Sequence, residues 1–308
     1  MAERPSIELD GVGKRYGSHE VLHEVTLAVG RAECVALLGH NGAGKTTLMK
    51  LLLGLTRPCR GRIRVNGVDP THLLGRGLGA DIGFLPENVM FNTAMRGREV
   101  LRFYARLKGV PAADCTRLLD EVGLAEAAGR RVGTYSKGMR QRLGLAQALL
   151  GAPHVLLLDE PTTGLDPVLR DAFYRRVRRH QEGGGAALIA SHALTEIEAR
   201  SDRVAILRQG RLVAFGTLAE LRKQAALPVR IRVITGDGEA AGVAERLGGG
   251  LRMDHVNNQT LELSCLPAEK FEIVTRLAAL RPAVEDVEIH APGLGEVYAH
   301  YSAGDGPQ

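Results

Sequence analysis

The stretch Gly39-His40-Asn41-Gly42-Ala43-Gly44-Lys45-Thr46-Thr47 constrains this chain most, because it follows the apolar run from Cys34 to Leu38 and precedes a second apolar run, Leu48 to Gly54. Strand, glycine-rich loop and helix in that order fit the pattern G-x-x-x-x-G-K-[ST], which cradles phosphate groups. Glycines let backbone N–H groups turn inward on the phosphates. Lys45 supplies positive charge toward the β and γ phosphates, and the Thr46 hydroxyl is a ligand for Mg²⁺. A helix starting at this loop points its N-terminal dipole at the same anion. A glycine-rich turn matching by chance is the alternative in a chain with 38 glycines. The flanking strand and helix argue against it.

A phosphate cradle needs carboxylates for metal and water. The run Val155 to Leu158 ends in Asp159-Glu160-Pro161. Four consecutive apolar residues predict a buried strand of a parallel sheet, and open α/β sheets bind ligands at the carboxyl ends of their strands. Asp159 is the candidate metal ligand and Glu160 the candidate base for water. Between the two motifs lies Tyr135-Ser136-Lys137-Gly138-Met139, ahead of a periodic helix from Leu143 to Leu150. Ser136 there reads as a helix cap whose neighbouring N–H groups also face an anion. Thr162 to Pro167, containing Gly164, Leu165 and Asp166, reads as a turn, and Ala187 to Ser191 as a strand followed by His192. Alone, a strand-end histidine is more often structural than catalytic.

Phosphate loop, Ser-x-Gly helix start, Asp-Glu strand, Leu-Asp turn and strand-end histidine, in this order, resemble the ATP-binding subunits of ABC transporters, over Ile7 to about Gly216. The resemblance implies ATP and Mg²⁺ as cofactors. It places Gly39 through Thr47 on phosphate and Thr46 and Asp159 on metal. It makes Glu160 the general base, His192 the γ-phosphate switch, and Ser136 and Gly138 the donors to the γ-phosphate bound by the opposite subunit. Asp166 is implied in communication across the dimer. Tyr16 falls where the family stacks an aromatic ring on adenine, a partly buried strand-end tyrosine being the plain alternative.

Two positions depart from the family pattern. Glu87, in Phe84-Leu-Pro-Glu-Asn-Val89, stands where glutamine is usual. It can bind metal and accept from water but cannot donate. Lys137 replaces a glycine and brings a cation that offsets Glu87. Both departures are similar to the ABC-2 group. Together with His40 they are similar to the ATPases serving copper-site maturation of periplasmic nitrous oxide reductase, for which a periplasmic maturation factor would be a further partner. Export of lipid, polysaccharide or drug is the alternative.

The expected fold is α/β: a P-loop NTPase core with an antiparallel β layer and the helical subdomain of ABC ATPases, plus a small C-terminal α+β domain. The expected domains are 1–225 (core 1–86 and 152–220, helical subdomain about 88–150) and 226–308, an accessory or dimerisation domain. Charge supports the division, with 33 Lys and Arg against 23 Asp and Glu through Ala225 and 7 against 12 beyond it. Residues Val229 to Ile234, Gly242 to Leu247, Leu261 to Cys265, Lys270 to Leu280 and Val284 to Ile289 read as strand, helix, strand, helix and strand, with a frayed tail from Ser302. Phe84, Met90, Phe91, Met95, Phe103 and Tyr104 are candidates for a groove receiving the membrane partner, most of them being ordinary core.

No apolar run approaches the ~20 residues that span a bilayer, and the first residues lack the apolar core of a secretion signal. The expectation is a peripheral subunit on the cytoplasmic face of the inner membrane, forming a homodimer and joining a multi-span permease on a separate chain. Cys34, Cys59, Cys115 and Cys265 are scattered and suggest neither zinc nor disulfides. The basic cluster Arg170, Arg175, Arg176, Arg178 and Arg179 reads as a solvated helix face without aromatic residues for stacking on bases, so nucleic acid is not an expected partner. A soluble ABC-type ATPase acting on nucleic acid or the ribosome would show a second cassette or a long coiled coil. A kinase has no use for a Ser136 helix start presented in trans, and Glu160 argues against an inactive scaffold.

Overall fold

A computed structural model describes residues 4–72, 81–248 and 251–303, with the side chains of 254–256 set aside. The chain divides into two compact units, Met1–Phe215 and Gly216–Gln308.

The first unit is built on two sheets. β1 (Ile7–Tyr16) pairs antiparallel with β2 (His19–Val29), and a later strand, β4 (Arg60–Val65), pairs on its other side. β1 and β2 stay paired from Ile7 opposite Val29 to Tyr16 opposite His19. They do so because register shifts between Leu9 and Arg15 keep the ribbon paired while it bends. Alternation is visible in Ile7 and Leu9 and in Val25, Leu27 and Val29, all buried.

The second sheet contains β3 (Cys34–Leu38), β5 (Ile82–Leu85), β6 (Val155–Asp159), β7 (Ala186–Ala190), β8 (Arg203–Arg208) and β9 (Arg211–Gly216), in spatial order β5-β6-β7-β3-β8-β9. The pairs β5/β6, β6/β7, β7/β3 and β3/β8 are parallel. Residues 34–38, 155–158 and 186–190 are buried throughout, as unbroken apolar runs in a doubly covered parallel sheet require. α1 (Lys45–Leu52) follows β3 and buries Leu48, Met49, Leu51 and Leu52. α5 (Pro167–Glu182) and α6 (Leu194–Glu198) follow β6 and β7.

Between β5 and β6 the chain inserts α2 (Gly97–Lys108), α3 (Ala113–Glu121) and α4 (Lys137–Ala148), the expected helical subdomain. α4 lies close over β5: a Cβ added at Gly83 would fall 2.2 Å from the Ala148 carbonyl oxygen, and one at Gly144 would fall 2.7 Å from Leu85 Cδ1. Glycine at both positions is what lets helix and strand approach. Of the six groove candidates, Met90 and Phe103 are exposed, Phe91 and Tyr104 meet edge to face at 6.1 Å, and Phe84 packs on the main core.

In the second unit α7 (Leu218–Gln224) precedes β10 (Val229–Thr235), α8 (Ala240–Leu247), β11 (Arg252–Asn257), β12 (Thr260–Cys265), α9 (Lys270–Ala278), β13 (Val284–His290) and α10 (Leu294–Ala303). The strands form one antiparallel sheet, β11-β12-β10-β13, with Ile231, Val233, Leu261 and Leu263 buried together with Val243, Ile273 and Leu277. β11 and α10 have no counterpart in the sequence reading. α7 contacts α10, so the division falls at Phe215 and not after Ala225. Of the predicted frayed tail, 302 and 303 end α10 and 304–308 lie outside the described residues. All four cysteines are free thiols, and among the described residues no helix is long and apolar enough to cross a membrane.

Candidate functional site

Strand order decides the site. β5, β6, β7 and β3 are consecutive neighbours, and all four point the same way. Their carboxyl ends therefore set Glu87, the Asp159-Glu160 pair, His192 and the glycine loop side by side on one rim. A cleft of about 200 Å³ there is lined by His40, Asn41, Gly42, Gly44, Lys45, Thr46, Thr47, Glu87, Asp159 and Glu160, together with Val21 of β2. Ten residues singled out from the sequence thus meet in one place. Val21 was missed, since nothing local marks a residue of the antiparallel layer as a wall of this cleft.

The loop has the backbone of a phosphate cradle. Gly42 and Gly44 have φ of 84° and 107°, a region that L side chains avoid. A Cβ at Gly44 would stand 2.6 Å from Leu22 Cδ2, and one at Gly39 would stand 2.6 Å from the Leu207 carbonyl oxygen. Ala43 is buried, and its carbonyl accepts from Gly210 N–H at 3.0 Å. Lys45 curls back over the loop, Nζ donating to the Gly39 carbonyl at 2.5 Å and the His40 carbonyl at 3.3 Å.

Charge in the cleft is unbalanced. Burial draws the Lys45 ammonium below its ordinary range, with Glu160, Asp159 and Glu87 opposing. Burial likewise lifts the Asp159 carboxyl above its ordinary range, reinforced by Glu160 and Glu87 and opposed by Lys45. Three carboxylates facing one lysine favour a divalent cation, while the glycine cradle favours phosphate. Among the described residues no group of three His, Cys, Asp or Glu side chains could hold a metal alone. The donor set fits a divalent cation such as Mg²⁺ that arrives with the phosphate, for which the Thr46 hydroxyl and Asp159 would be the protein's ligands.

Glu160 is held in an unusual way. Its φ of 45° is left-handed, which for a non-glycine residue costs on the order of 1–3 kcal/mol and persists where surrounding structure enforces it. Its N–H donates to the Ala190 carbonyl of β7 at 2.8 Å. Its carboxylate is half-buried, and Oε2 lies 2.8 Å from Nδ1 of the exposed His192. This contact brings the histidine to the edge of the cleft.

The remaining candidates stand outside the cleft's lining. Ser136 caps α4, Oγ accepting from Met139 N–H at 3.2 Å, and Asp166 caps α5, Oδ1 accepting from Leu169 N–H at 2.9 Å. The Lys137 side chain runs across the following turn: a Cβ on Gly164 would stand 2.9 Å from its Cδ. A Cβ on Gly138 would meet Leu165 Cδ2 at 3.4 Å. Tyr16 is 47% exposed, with Lys14 Nζ over its ring 5.0 Å from the centroid. A link unread in the sequence joins the lobes: buried Gln141 of α4 donates from Nε2 to the Pro161 carbonyl at 2.9 Å.

Comparison with known proteins places this arrangement. The family described as "ABC transporter" matches residues 22–163. The chain is 36% identical to the daunorubicin resistance ATP-binding protein DrrA3 of Streptomyces coeruleorubidus, over 97% of this chain and 96% of that one. It is 38% identical to the Nod factor export ATP-binding protein I of Paraburkholderia xenovorans, over 70% of this chain and 72% of the relative. A solved structure described as the ATP-binding subunit of an ABC transporter superimposes with a TM-score of 0.67 at 33% identity, covering 71% of this chain and 92% of that one.

Proposed function

This chain belongs to the ABC transporter family of ATP-binding subunits, and we propose that it powers an exporter by closing as a homodimer around two ATP molecules, with Glu160 as the base. Hydrolysis of ATP coupled to transport is the activity of the family. ATP-binding subunits of this kind generally dimerise and pair with membrane permeases. The observation that carries the assignment of roles is the convergence of Lys45, Asp159, Glu160 and Glu87 in one cleft, with His192 against Glu160.

In this reading the glycine loop and Lys45 hold the phosphates, Tyr16 stacks on the base, and Thr46 and Asp159 hold Mg²⁺, which supplies charge neutralisation on the phosphate oxygens. Glu160 takes a proton from the attacking water, and His192 keeps its carboxylate aimed. Ser136 and Gly138, which lie outside their own chain's cleft, serve the partner's γ-phosphate, so a complete site needs two chains. Asp166 and Lys137 stand beside that contact. Glu87 relays the state of the site to the helical insertion, where exposed Met90 and Phe103 offer an apolar surface to the permease.

The full-length likeness to a daunorubicin resistance protein and the likeness to a Nod factor export protein favour the export reading, whether of drug, lipid or polysaccharide. Copper-site maturation for nitrous oxide reductase, with a periplasmic factor as partner, is the narrower reading, and the stretches around His40, Glu87 and Lys137 support it. Tagged Glu160→Gln protein loaded with Mg-ATP and purified from detergent-solubilised membranes tests the role. A stoichiometric multi-span protein is the expected companion, and the proteins accompanying it separate the two cargo readings. Recovery with ribosomes or nucleic acid alone would contradict the transporter role.

A further inference from the structure

A second cleft, of about 260 Å³, opens in the first unit at the opposite rim of the parallel sheet, before the N-terminal ends of β6 and β7. Its cationic walls are Arg117 of α3 and Arg176 and Arg179 of α5, with His154 and His180 beside them. The helical insertion and the core each contribute one side.

The guanidinium groups exceed their carboxylate partners. Glu121 serves two of them, Oε1 accepting from Arg117 at 2.7 Å and Oε2 meeting Arg176. Asp114 lies 3.4 Å from Arg117, and Asp81 lies 3.2 Å from His154. Arg179 has no carboxylate within ion-pair distance among the described residues, and Arg176 Nε is buried without an acceptor. Burial, together with Arg117 and Arg179, pulls the Arg176 guanidinium below its ordinary range against the pull of Glu121. His180 sits on the Ala186 carbonyl at 3.2 Å, so one of its ring nitrogens is already used by the backbone. A Cβ at Gly185 would collide with that ring, which leaves this side of the mouth without a side chain.

Arg179, without a carboxylate partner among the described residues, stands beside Arg176 in a concave site, and two neighbouring guanidinium groups suit an anion with several acceptor oxygens and more than one charge, such as a phosphate group, over a halide or a single carboxylate that one fork would satisfy. We propose that this cleft binds a phosphate-bearing anion of the phosphomonoester or pyrophosphate class, with Arg176 and Arg179 as donors. The bound anion sits on α5, beside Arg117 of α3 and at the opposite rim from the glycine loop. The source is a soluble phosphate compound or the headgroup of an anionic lipid, since both present the same group.

The test titrates inorganic pyrophosphate into the full chain saturated with ADP, alongside flotation of the same protein with vesicles containing phosphatidic acid. One pyrophosphate per chain is expected, weakened at least tenfold by Arg179→Ala. Arg178→Ala is the control: it removes the same charge from the same helix at an exposed residue that faces Glu182 at 3.7 Å and does not line the cleft. Flotation sensitive to Arg179→Ala without pyrophosphate binding would assign the anion to lipid. No Arg179-sensitive binding in either arm, or equal losses in both variants, overturns the site.

Discussion

His192 Nδ1 lies 2.8 Å from Glu160 Oε2, bridging the carboxyl ends of β7 and β6 at a non-glycine residue whose backbone is left-handed. The contact gives an exposed histidine a defined partner and the carboxylate a defined direction. His192→Ala is expected to retain ATP binding and to lower turnover by about 10- to 100-fold, because a loosely aimed base loses the advantage of position. Steady-state ATPase rates beside equilibrium nucleotide binding check this. Parallel losses in both would point to a general disruption of the cleft.

Gln141 crosses from the helical insertion to the core, donating to the Pro161 carbonyl one residue beyond Glu160. Gln141→Leu leaves that buried carbonyl unpaired and is expected to cost about 1–3 kcal/mol. Chemical denaturation of the variant and its parent measures the loss.

Lys108, at the end of α2, donates to the Leu150 carbonyl at 3.1 Å, and burial pulls its ammonium from 10.5 down to about 8. Between those values the folded chain binds fewer protons than the unfolded chain, so this group makes stability rise with pH. The penalty is fully present below about 8 and gone above 10.5. Lys108→Met is therefore expected to stabilise the protein near neutrality, with its advantage shrinking as pH is raised through this window. Denaturation midpoints of both proteins across that range supply the difference curve.

Much of the site was legible in the chain because its motifs are local. Gly39 to Thr47 and Val155 to Glu160 each carry strand, turn and charge within a few residues, and strand polarity then forces them to one rim. What escaped depends on distance. The left-handed Glu160 is bonded through its N–H to Ala190, and Gln141 reaches Pro161, neither of which leaves a mark on neighbouring residues. Ser136 and Asp166 were readable as turn or cap positions, and their caps are present; a role toward a partner chain is not expressed within one chain. In the second unit β11 was missed since it follows a glycine run, and α10 because Leu294 to Ala303 carries a glycine and is only weakly amphipathic. The expected domain boundary fell ten residues late because α7 packs on α10, a contact between segments far apart in the chain.

The most direct test of the central claim is light scattering on purified Glu160→Gln protein with and without Mg-ATP, paired with its ATPase rate. Mass doubling on ATP and turnover reduced by at least about 100-fold are the predicted results, because nucleotide is held while the base is gone. An unchanged mass with ATP bound, or turnover within a few-fold of the parent, would contradict the account.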